Sequence, residues 1–303
     1  MDFYPAKNND RLNRQPFHPE LIGRVMVNPR YPVKELGRVQ PWWCVRCRAF
    51  HTFPRVRCDS GAFQDVGKAR LFPWQALDMQ LRFEEQLRWH LGDHSFHFET
   101  IFIYDDPAGV DEAVVDGVKI KVRGDEESAA PAVVATLEAA RYYASQRKHI
   151  QARIGWVGQG INAAQYMDCL MAQRSFFRQG DIIGLGGFCI WGRMPSRMRE
   201  TAERTIARVV NWGRLRGIRE YHMLGVMYAP AVQWAARLAR ARRVRFSTDG
   251  SGPEQAACVG GRGYLEGRQV DLGWRPEHKY KEYHPCELAL RNIQSYHDWA
   301  RSL

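Results

Sequence analysis

The sequence has no hydrophobic run long enough to cross a membrane. Its longest apolar-looking stretch, from Ile182 to Trp191, is rich in glycine and is soon followed by Arg193, whereas a membrane-spanning helix needs ~20 apolar residues. The first residues, Met1 to Pro5, precede mixed charges and include no apolar core of a secretory signal. We therefore expect a protein that has no membrane partner and works in the cytoplasm.

Cysteine falls short of the density of a disulfide scaffold, and acidic residues are outnumbered by basic ones. Seven cysteines in 303 residues are an odd number and too few for a disulfide scaffold, which indicates a reducing compartment. Lys and Arg number 44 against 33 Asp and Glu, so the formal charge is +11. This excess favours a polyanionic partner, with nucleic acid as the first candidate. A hydrophobic content of 45% with 12% aromatics excludes a disordered chain.

Short apolar runs alternate with amphipathic stretches along most of the chain. The runs lie near residues 24–27, 56–58, 100–104, 153–157, 181–185, 221–224 and 244–246. Helical spacing of apolar residues covers stretches such as 73–91 and 196–214. Continuous apolar strands separated by helices are typical of parallel β-structure covered on both faces. About seven strand–helix units, without a GxGxxG after the first strand, predict an α/β fold of the (β/α)8 TIM-like barrel type.

The barrel is expected to be a single domain. Residues 1–20 contain several Asn and Pro, which predicts an irregular N-terminal arm. Residues 21–303 are assigned to the barrel, including a C-terminal helix from about Pro285 to Ser302. The apolar positions that suit docking of this helix onto the barrel are Leu288, Ala289, Ile293, Tyr296 and Trp299.

Polar residues and glycines stand where the strands are predicted to end. They are Asp59, Asp105, Asp106, Gln159, Gly186, Gly187, His222, Gly225 and Asp249. In a (β/α)8 barrel these ends meet at one face, where active sites lie. Converging carboxylates suit nucleophilic and acid–base chemistry at a sugar carbon, and a Gln with free backbone N–H groups suits a purine edge. A single Asp after a strand is often only a helix N-cap, but the whole set indicates a site.

The segment Cys58-Asp59-Ser60-Gly61-Ala62-Phe63-Gln64 resembles the Asp-Ser-Gly-Gly-Phe-Gln signature of tRNA-guanine transglycosylases. Shorter matches follow in that family's order. Tyr104-Asp105-Asp106 is similar to its Phe-Asp-Glu, Gln159-Gly160 to its Gln-Gly, and Gly186-Gly187 to its Gly-Gly. Leu224-Gly225-Val226 is similar to its Met-Gly-Val, and Asp249 stands where its nucleophilic Asp would be. The resemblance covers roughly residues 20–255.

The sequence departs from the tRNA enzymes at the nucleophile. They carry Asp-Cys-Val-x-Pro-Thr-Arg there, whereas this chain has Ser247-Thr248-Asp249-Gly250-Ser251-Gly252. That run is closer to the Ser-x-Asp-Ser-Ser pattern of the relatives that insert 7-deazaguanines into DNA. The family's Cys-x-Cys-x-x-Cys…His zinc motif is missing after the nucleophile, and we expect no appended RNA-binding domain. The departures favour a compact, phage-type DNA-modification enzyme, which would work in the host cytoplasm.

The resemblance implies an exchange of guanine in DNA for a 7-deazaguanine, such as the 7-cyano form, without a cofactor. Asp249 and Asp59 would be the catalytic residues, as nucleophile and as acid–base; the residue pattern alone does not rank the two. Because the target base must leave the stack, base flipping is implied. The implied base-binding residues are Ser60, Phe63, Asp105, Gln159, Gly186, Gly187, Leu224 and Gly225. The alternatives are a tRNA-guanine transglycosylase and an inactive nucleic-acid-binding barrel.

Three further expectations concern basic residues and zinc. Arg193, Arg197 and Arg199 follow the Gly-Gly strand and are candidates for phosphate contacts. Arg245 is a candidate for keeping Asp249 ionised, provided that its side chain faces the same way. Two sets have zinc-ligand chemistry, against the alternative of scattered thiols without metal. The sets are Cys258, His278, His284, Cys286 and His297, or Cys44, Cys47, His51 and Cys58.

Overall fold

The computed structural model shows a closed barrel of parallel strands. It describes residues 1–7, 24–29, 43–44, 49–50, 55–65, 69–108, 110–115, 118–123, 125–189, 191–194, 196–250, 252–253, 256, 262–270 and 285–303.

Eight strands form the barrel, and each pairs with its neighbours in the sequence. They are β1 (Asp2–Lys7), β2 (Arg24–Val27), β3 (Arg55–Cys58), β4 (Thr100–Phe102), β5 (Arg153–Gly158), β6 (Ile182–Leu185), β7 (Glu220–Met223) and β8 (Arg245–Gly250). Pairing of β1 with β8 closes the ring. The predicted α/β fold, a (β/α)8 TIM-like barrel, is therefore confirmed.

The predicted irregular arm is wrong for the first residues, because Asp2–Lys7 is a barrel strand. Its register aligns Asp2 with Ser247 of β8 and Ala6 with Met26 of β2. A proline in a short run normally argues against a central strand, and this run contains Pro5. The rest of the predicted arm, residues 8–20, lies outside the described residues.

Helices follow most of the strands. They are α1 (Pro73–Leu91), α2 (Glu126–Ser145), α3 (Ala163–Ala172), α4 (Ser196–Arg214), α5 (Ala229–Arg242) and α6 (Pro285–Ser302). The helix α6 packs on the barrel as its spacing predicted: Tyr296 is fully buried and its ring lies 4.6 Å from that of Phe3 in β1. Within the part of the chain that the structure describes, no helix combines the length and apolar character needed to cross a membrane.

Among the residues that the structure describes, three small antiparallel pairs stand outside the barrel. They join Trp43–Cys44 with Ala49–Phe50, Val110–Val115 with Val118–Arg123, and Gly263–Leu265 with Arg268–Val270. The second pair is inserted between β4 and α2, and its strands are separated by Asp116-Gly117, a dipeptide typical of tight hairpins.

The barrel interior holds aromatic rings below the mouth and ion pairs at the opposite end. Phe102 fills the space beside Gly155, where a Cβ would lie 2.3 Å from the Phe102 ring. Near the amino ends of the strands, Arg57 donates to Glu99 at 2.9 Å and also pairs with Glu220. Because these charges are buried or nearly so, removing one partner alone should be costly, about 3–5 kcal/mol.

Candidate active site

The strand ends bring the sequence-predicted site residues to one face of the barrel. Asp59 directly follows β3, Gln159 follows β5, and Gly186 follows β6. Asp249 lies in β8, one residue before its end. Because all eight strands run parallel, these ends open on the same mouth.

Asp105, Ser60 and Gln159 form one hydrogen-bonded group, the Asp105 cluster. Ser60 Oγ donates to Asp105 Oδ1 at 2.8 Å, and Gln159 Nε2 donates to Asp105 Oδ2 at 2.7 Å. Gln159 Oε1 in turn accepts from Ala108 N at 3.2 Å. Burial raises the pKa of Asp105 to about 7, although the bonds from Ser60 and Gln159 act to lower it. The cluster is thus fixed in place and titrates near neutral pH.

The glycine pair after β6 allows the backbone to pass directly against Gln159. A Cβ on Gly186 would lie 2.2 Å from Gln159 Nε2. Gly187 has φ +79°, and a Cβ there would lie 3.2 Å from Gln159 Oε1. Left-handed backbone and close approach both favour glycine, so the Gln159 amide and the Gly187 backbone lie side by side.

Asp59 is held by groups from two strand ends. Its Oδ1 accepts from Ser60 N at 2.8 Å, and its Oδ2 accepts from Asn28 Nδ2 at 3.2 Å. Burial and the negative charges of Asp249 and Asp105 raise the pKa of Asp59 to about 8. At neutral pH this carboxyl therefore retains a proton that it can donate.

Asp249 is held through one oxygen. Its Oδ1 accepts from His222 Nε2 at 3.0 Å and from Gly225 N at 2.8 Å. Because Asp249 contributes to the raised pKa of Asp59, the two carboxyl groups interact electrostatically across the mouth. The site therefore has two acids in different surroundings, an arrangement that separates a proton donor from a nucleophile.

Sequence reasoning missed three supports of these acids. No local pattern marks Asn28, just after β2, and the position of His222 at a strand end predicts no particular role for it. Gln80 of α1 joins two strand ends, because its Nε2 donates to Asp59 O and to Phe102 O, both at 2.9 Å. The apolar face of α1 predicted the helix, but nothing in that pattern distinguished Gln80 from a solvent-exposed residue.

The structure describes fewer contacts for the other implied base-binding residues. Leu224 lies after β7 and is partly buried, with its N–H donating to Leu185 O at 3.3 Å. Phe63 lies in the short 3-10 helix Ala62–Asp65, and its side chain lies outside the described part of the structure. Gly225 contacts Asp249 through its backbone N–H.

The arginine candidates differ in environment. Arg197, near the start of α4, is exposed, whereas Arg199 is half-buried and donates to Tyr228 Oη at 2.9 Å. Arg193 lies in a 3-10 helix, Trp191–Arg193, and its side chain is not among the described ones. The expectation for Arg245 is wrong: it lies at the start of β8 and donates to Glu220 at 2.9 Å, at the other end of the strand from Asp249.

The zinc-ligand candidates whose side chains the structure describes do not lie together. Among the described residues, no three His, Cys, Asp or Glu side chains are arranged to hold a metal. Cys58 is fully buried in β3, and His297 in α6 lies 3.2 Å from Asp298. Cys44 and Cys286 are described in their backbone alone. The candidates outside the described residues are Cys47, His51, Cys258, His278 and His284.

Two exposed aromatic side chains lie at the start of α1. Phe72 is 64% exposed and Trp74 is 53% exposed. Their segment is anchored beside Asp105, because Leu71 N donates to Tyr104 Oη at 3.2 Å and Arg70 pairs with Asp106. A helix that follows a barrel strand begins on the side of the mouth, so these aromatic rings lie near the rim of the site.

A small, partly open pocket lies beside Gly187. Its described lining carries no charged side chain and includes Ala108, Ile161, Phe188, Met194 and Met198. The pocket adjoins Ala108, whose N–H contacts Gln159, so it provides uncharged space next to the Asp105 cluster.

Comparison with known proteins adds no relative: no protein-family model matches the chain, and no curated protein is significantly similar to it.

Proposed function

We propose that the protein is a DNA-guanine transglycosylase, which exchanges guanine in DNA for a 7-deazaguanine such as 7-cyano-7-deazaguanine. The observation that carries the proposal is that two acids lie beside a group of buried hydrogen-bonding side chains, the Asp105 cluster. Asp59 and Asp249 stand on different strand ends and interact electrostatically, and the Asp105 cluster adjoins Asp59 through Ser60.

The two acids divide the chemistry. Asp249 attacks the anomeric carbon of the deoxyribose, and guanine leaves while the DNA stays bound as a glycosyl ester. Asp59, with its pKa raised to about 8, supplies the proton that the departing base needs. In the second half, Asp59 takes a proton from the incoming 7-deazaguanine, which displaces Asp249. Two displacements at one carbon retain its configuration, and no cofactor is required.

The Asp105 cluster recognises the base. Asp105 accepts hydrogen bonds from the donor edge of guanine, while the Gln159 amide and the Gly187 N–H face its carbonyl oxygen. Guanine and 7-deazaguanines share this edge and differ at position 7. The uncharged pocket beside Gly187 offers room there for an additional substituent.

Charge and exposed side chains favour a nucleic-acid substrate, and the sequence pattern at the nucleophile favours DNA over tRNA. The net charge is +11, and Arg197, Phe72 and Trp74 are exposed at the mouth side of the barrel. Basic groups suit phosphates, and exposed aromatic rings suit unstacked bases. The nucleophile segment, Ser247 to Gly252, resembles the pattern of the DNA-acting relatives rather than that of the tRNA enzymes.

The experiment is incorporation of labelled 7-cyano-7-deazaguanine into nucleic acid. Duplex DNA or tRNA is incubated with the protein and the labelled base, then digested to nucleosides and separated. We expect label in a DNA nucleoside with the wild-type protein and none with Asp249→Asn. Label in tRNA alone would replace the proposal with a tRNA-guanine transglycosylase. Salt-sensitive DNA binding without incorporation into either polymer would indicate an inactive binding barrel.

A further inference from the structure

Arg57 connects the buried charges of the barrel to the ring of His222. This side chain is 1% exposed and lies in β3, two residues before Asp59. Its Nη1 donates to Ser247 Oγ at 2.7 Å and lies 3.1 Å from His222 Nδ1. Its Nε donates to Glu99 at 2.9 Å. A guanidinium has only donors, so each of these contacts fixes what the partner atom must be.

The contact with Arg57 determines the tautomer of His222. Because Arg57 Nη1 can only donate, His222 Nδ1 must present its lone pair. Ser247 Oγ, 2.8 Å from the same nitrogen, can also donate to it. The ring proton is therefore on Nε2, which lies 3.0 Å from Asp249 Oδ1. The rings of Tyr4 and Phe102, with centroids 5.8 and 5.0 Å from that of His222, restrict rotation of the imidazole.

The charge balance around the ring favours the neutral form. Burial lowers the pKa of His222, against the opposing effect of the hydrogen bond and charge of Asp249. The cation of Arg57 also disfavours a second positive charge, whereas Glu220 acts in the opposite direction. A protonated ring would in addition point an N–H at Arg57. His222 thus donates to Asp249 as a neutral imidazole.

The two carboxyl oxygens of Asp249 differ in the number of hydrogen bonds that they accept. Oδ1 accepts from His222 Nε2 and Gly225 N, whereas no donor among the described residues contacts Oδ2. We propose that His222, held in one tautomer by Arg57, is a positioning residue that fixes Asp249 through Oδ1 and leaves Oδ2 as the attacking atom. This inference rests on the proposed transglycosylase function.

The covalent step forms one bond at the anomeric carbon and breaks another. A lone pair of Oδ2 forms a bond to the anomeric carbon while the bond from that carbon to the guanine nitrogen breaks. The electron pair of the broken bond goes to the base, which takes a proton from Asp59. His222 keeps its proton throughout. Its contribution is to hold the carboxylate plane so that Oδ2 faces the sugar, an orientation effect that enzymes use widely.

The first test compares two variants in the formation of the covalent protein–DNA adduct. His222→Phe keeps an aromatic ring beside Tyr4 and Phe102 but removes the donor, and His222→Gln keeps an N–H donor that can reach the position of Nε2. With saturating DNA, we expect His222→Phe to slow adduct formation about 100-fold and His222→Gln to remain within about tenfold of wild type. DNA affinity should change little in both variants, and the melting temperature should fall by a similar amount in both, because each removes the acceptor that Nδ1 offers to Arg57 and Ser247.

The result separates the inference from the function on which it rests. A wild-type rate in His222→Phe would overturn the positioning role alone, and so would equal loss of rate and of DNA affinity in both variants. A wild-type protein that forms no adduct with any guanine-containing polymer would overturn the proposed function and the inference together.

A second measurement needs no variant. Nitrogen NMR of the wild-type protein, with histidine labelled at the ring nitrogens and His222 assigned by comparison with His222→Gln, reports the protonation of each nitrogen at neutral pH. We expect Nε2 protonated and Nδ1 unprotonated. A ring protonated at Nδ1, alone or at both nitrogens, would contradict the role assigned to Arg57, whatever the activity of the protein.

Discussion

Gln159 Nε2 donates a hydrogen bond to Asp105 Oδ2 over 2.7 Å, between the ends of two adjacent barrel strands. Both side chains are buried, and the Gly186-Gly187 backbone passes against the Gln159 amide. Held in this way, the Asp105 carboxyl oxygens are fixed hydrogen-bond acceptors for a ligand. The Gln159 amide N–H is a fixed donor that can face a carbonyl oxygen of the ligand. Such preorganisation reduces the entropy lost on binding, and it depends on the absence of a side chain at the two glycines.

Gly187→Ala should weaken base binding, and Gly217→Ala is its matched control. Both glycines have φ +79°, so both substitutions introduce backbone strain of about 1–2 kcal/mol. Only at position 187 would the new Cβ lie against Gln159, since Gly217 has nothing within 4 Å of a Cβ. We expect the KM for the free base to rise about tenfold in Gly187→Ala and to stay unchanged in Gly217→Ala. Equal KM values in the two variants would contradict base recognition at Gly187.

Asp249→Asn should abolish the covalent protein–DNA adduct, because an amide is too weak a nucleophile to displace guanine. Asp59→Asn should lose turnover, because it cannot supply or accept the proton, while still binding DNA. Denaturing gel electrophoresis of protein incubated with labelled DNA measures the adduct. An adduct that survives denaturation with Asp249→Asn but not with Asp59→Asn would reverse the two assignments.

The fold and much of the site arrangement follow from local sequence patterns. Apolar runs ended by turn residues predict seven barrel strands, and helical spacing predicts α1, α4 and α6 with the observed bounds. The strand ends then identify which polar residues share the mouth. This succeeds because in a barrel the position of a residue along its strand determines the face on which it lies.

Long-range pairing explains what the sequence did not predict. β1 is a strand because it pairs with β8, which lies some 240 residues further along the chain. Arg57 and His222 are 165 residues apart, so neither local periodicity nor a short motif connects them. Asn28 and Gln80 likewise acquire their roles from hydrogen-bond partners on other strands.

Release of guanine should depend on the protonated form of Asp59. Because the pKa of this carboxyl is raised to about 8, it is mostly protonated at pH 7 and becomes ionised above pH 8. In a single turnover at saturating DNA, the rate of guanine release should fall about tenfold per pH unit above about pH 8. When DNA is saturating, the measured rate does not depend on how ionisation of Asp105 changes the affinity for DNA. A rate that rises from pH 7 to 9 would contradict an acid role for Asp59.

Trp74→Ala should weaken DNA binding, and Trp89→Ala provides the control. The two residues lie at opposite ends of α1 and are 53% and 76% exposed. Trp74 is on the side of the mouth, where an unstacked base can pack on its ring. A lost stacking contact should raise the Kd for DNA about tenfold in Trp74→Ala, with no change in Trp89→Ala. Fluorescence anisotropy with labelled duplex DNA measures both; the same Kd for the two variants would exclude a contact at Trp74.

The proposed function requires that guanine in DNA is exchanged through a covalent bond to the protein. Such an exchange must also replace guanine with guanine, since the two half-reactions are then the reverse of each other. Duplex DNA incubated with radiolabelled guanine and the wild-type protein should yield labelled deoxyguanosine after digestion, and Asp249→Asn should yield none. Wild-type protein that binds the DNA but leaves its deoxyguanosine unlabelled would contradict exchange through a covalent intermediate.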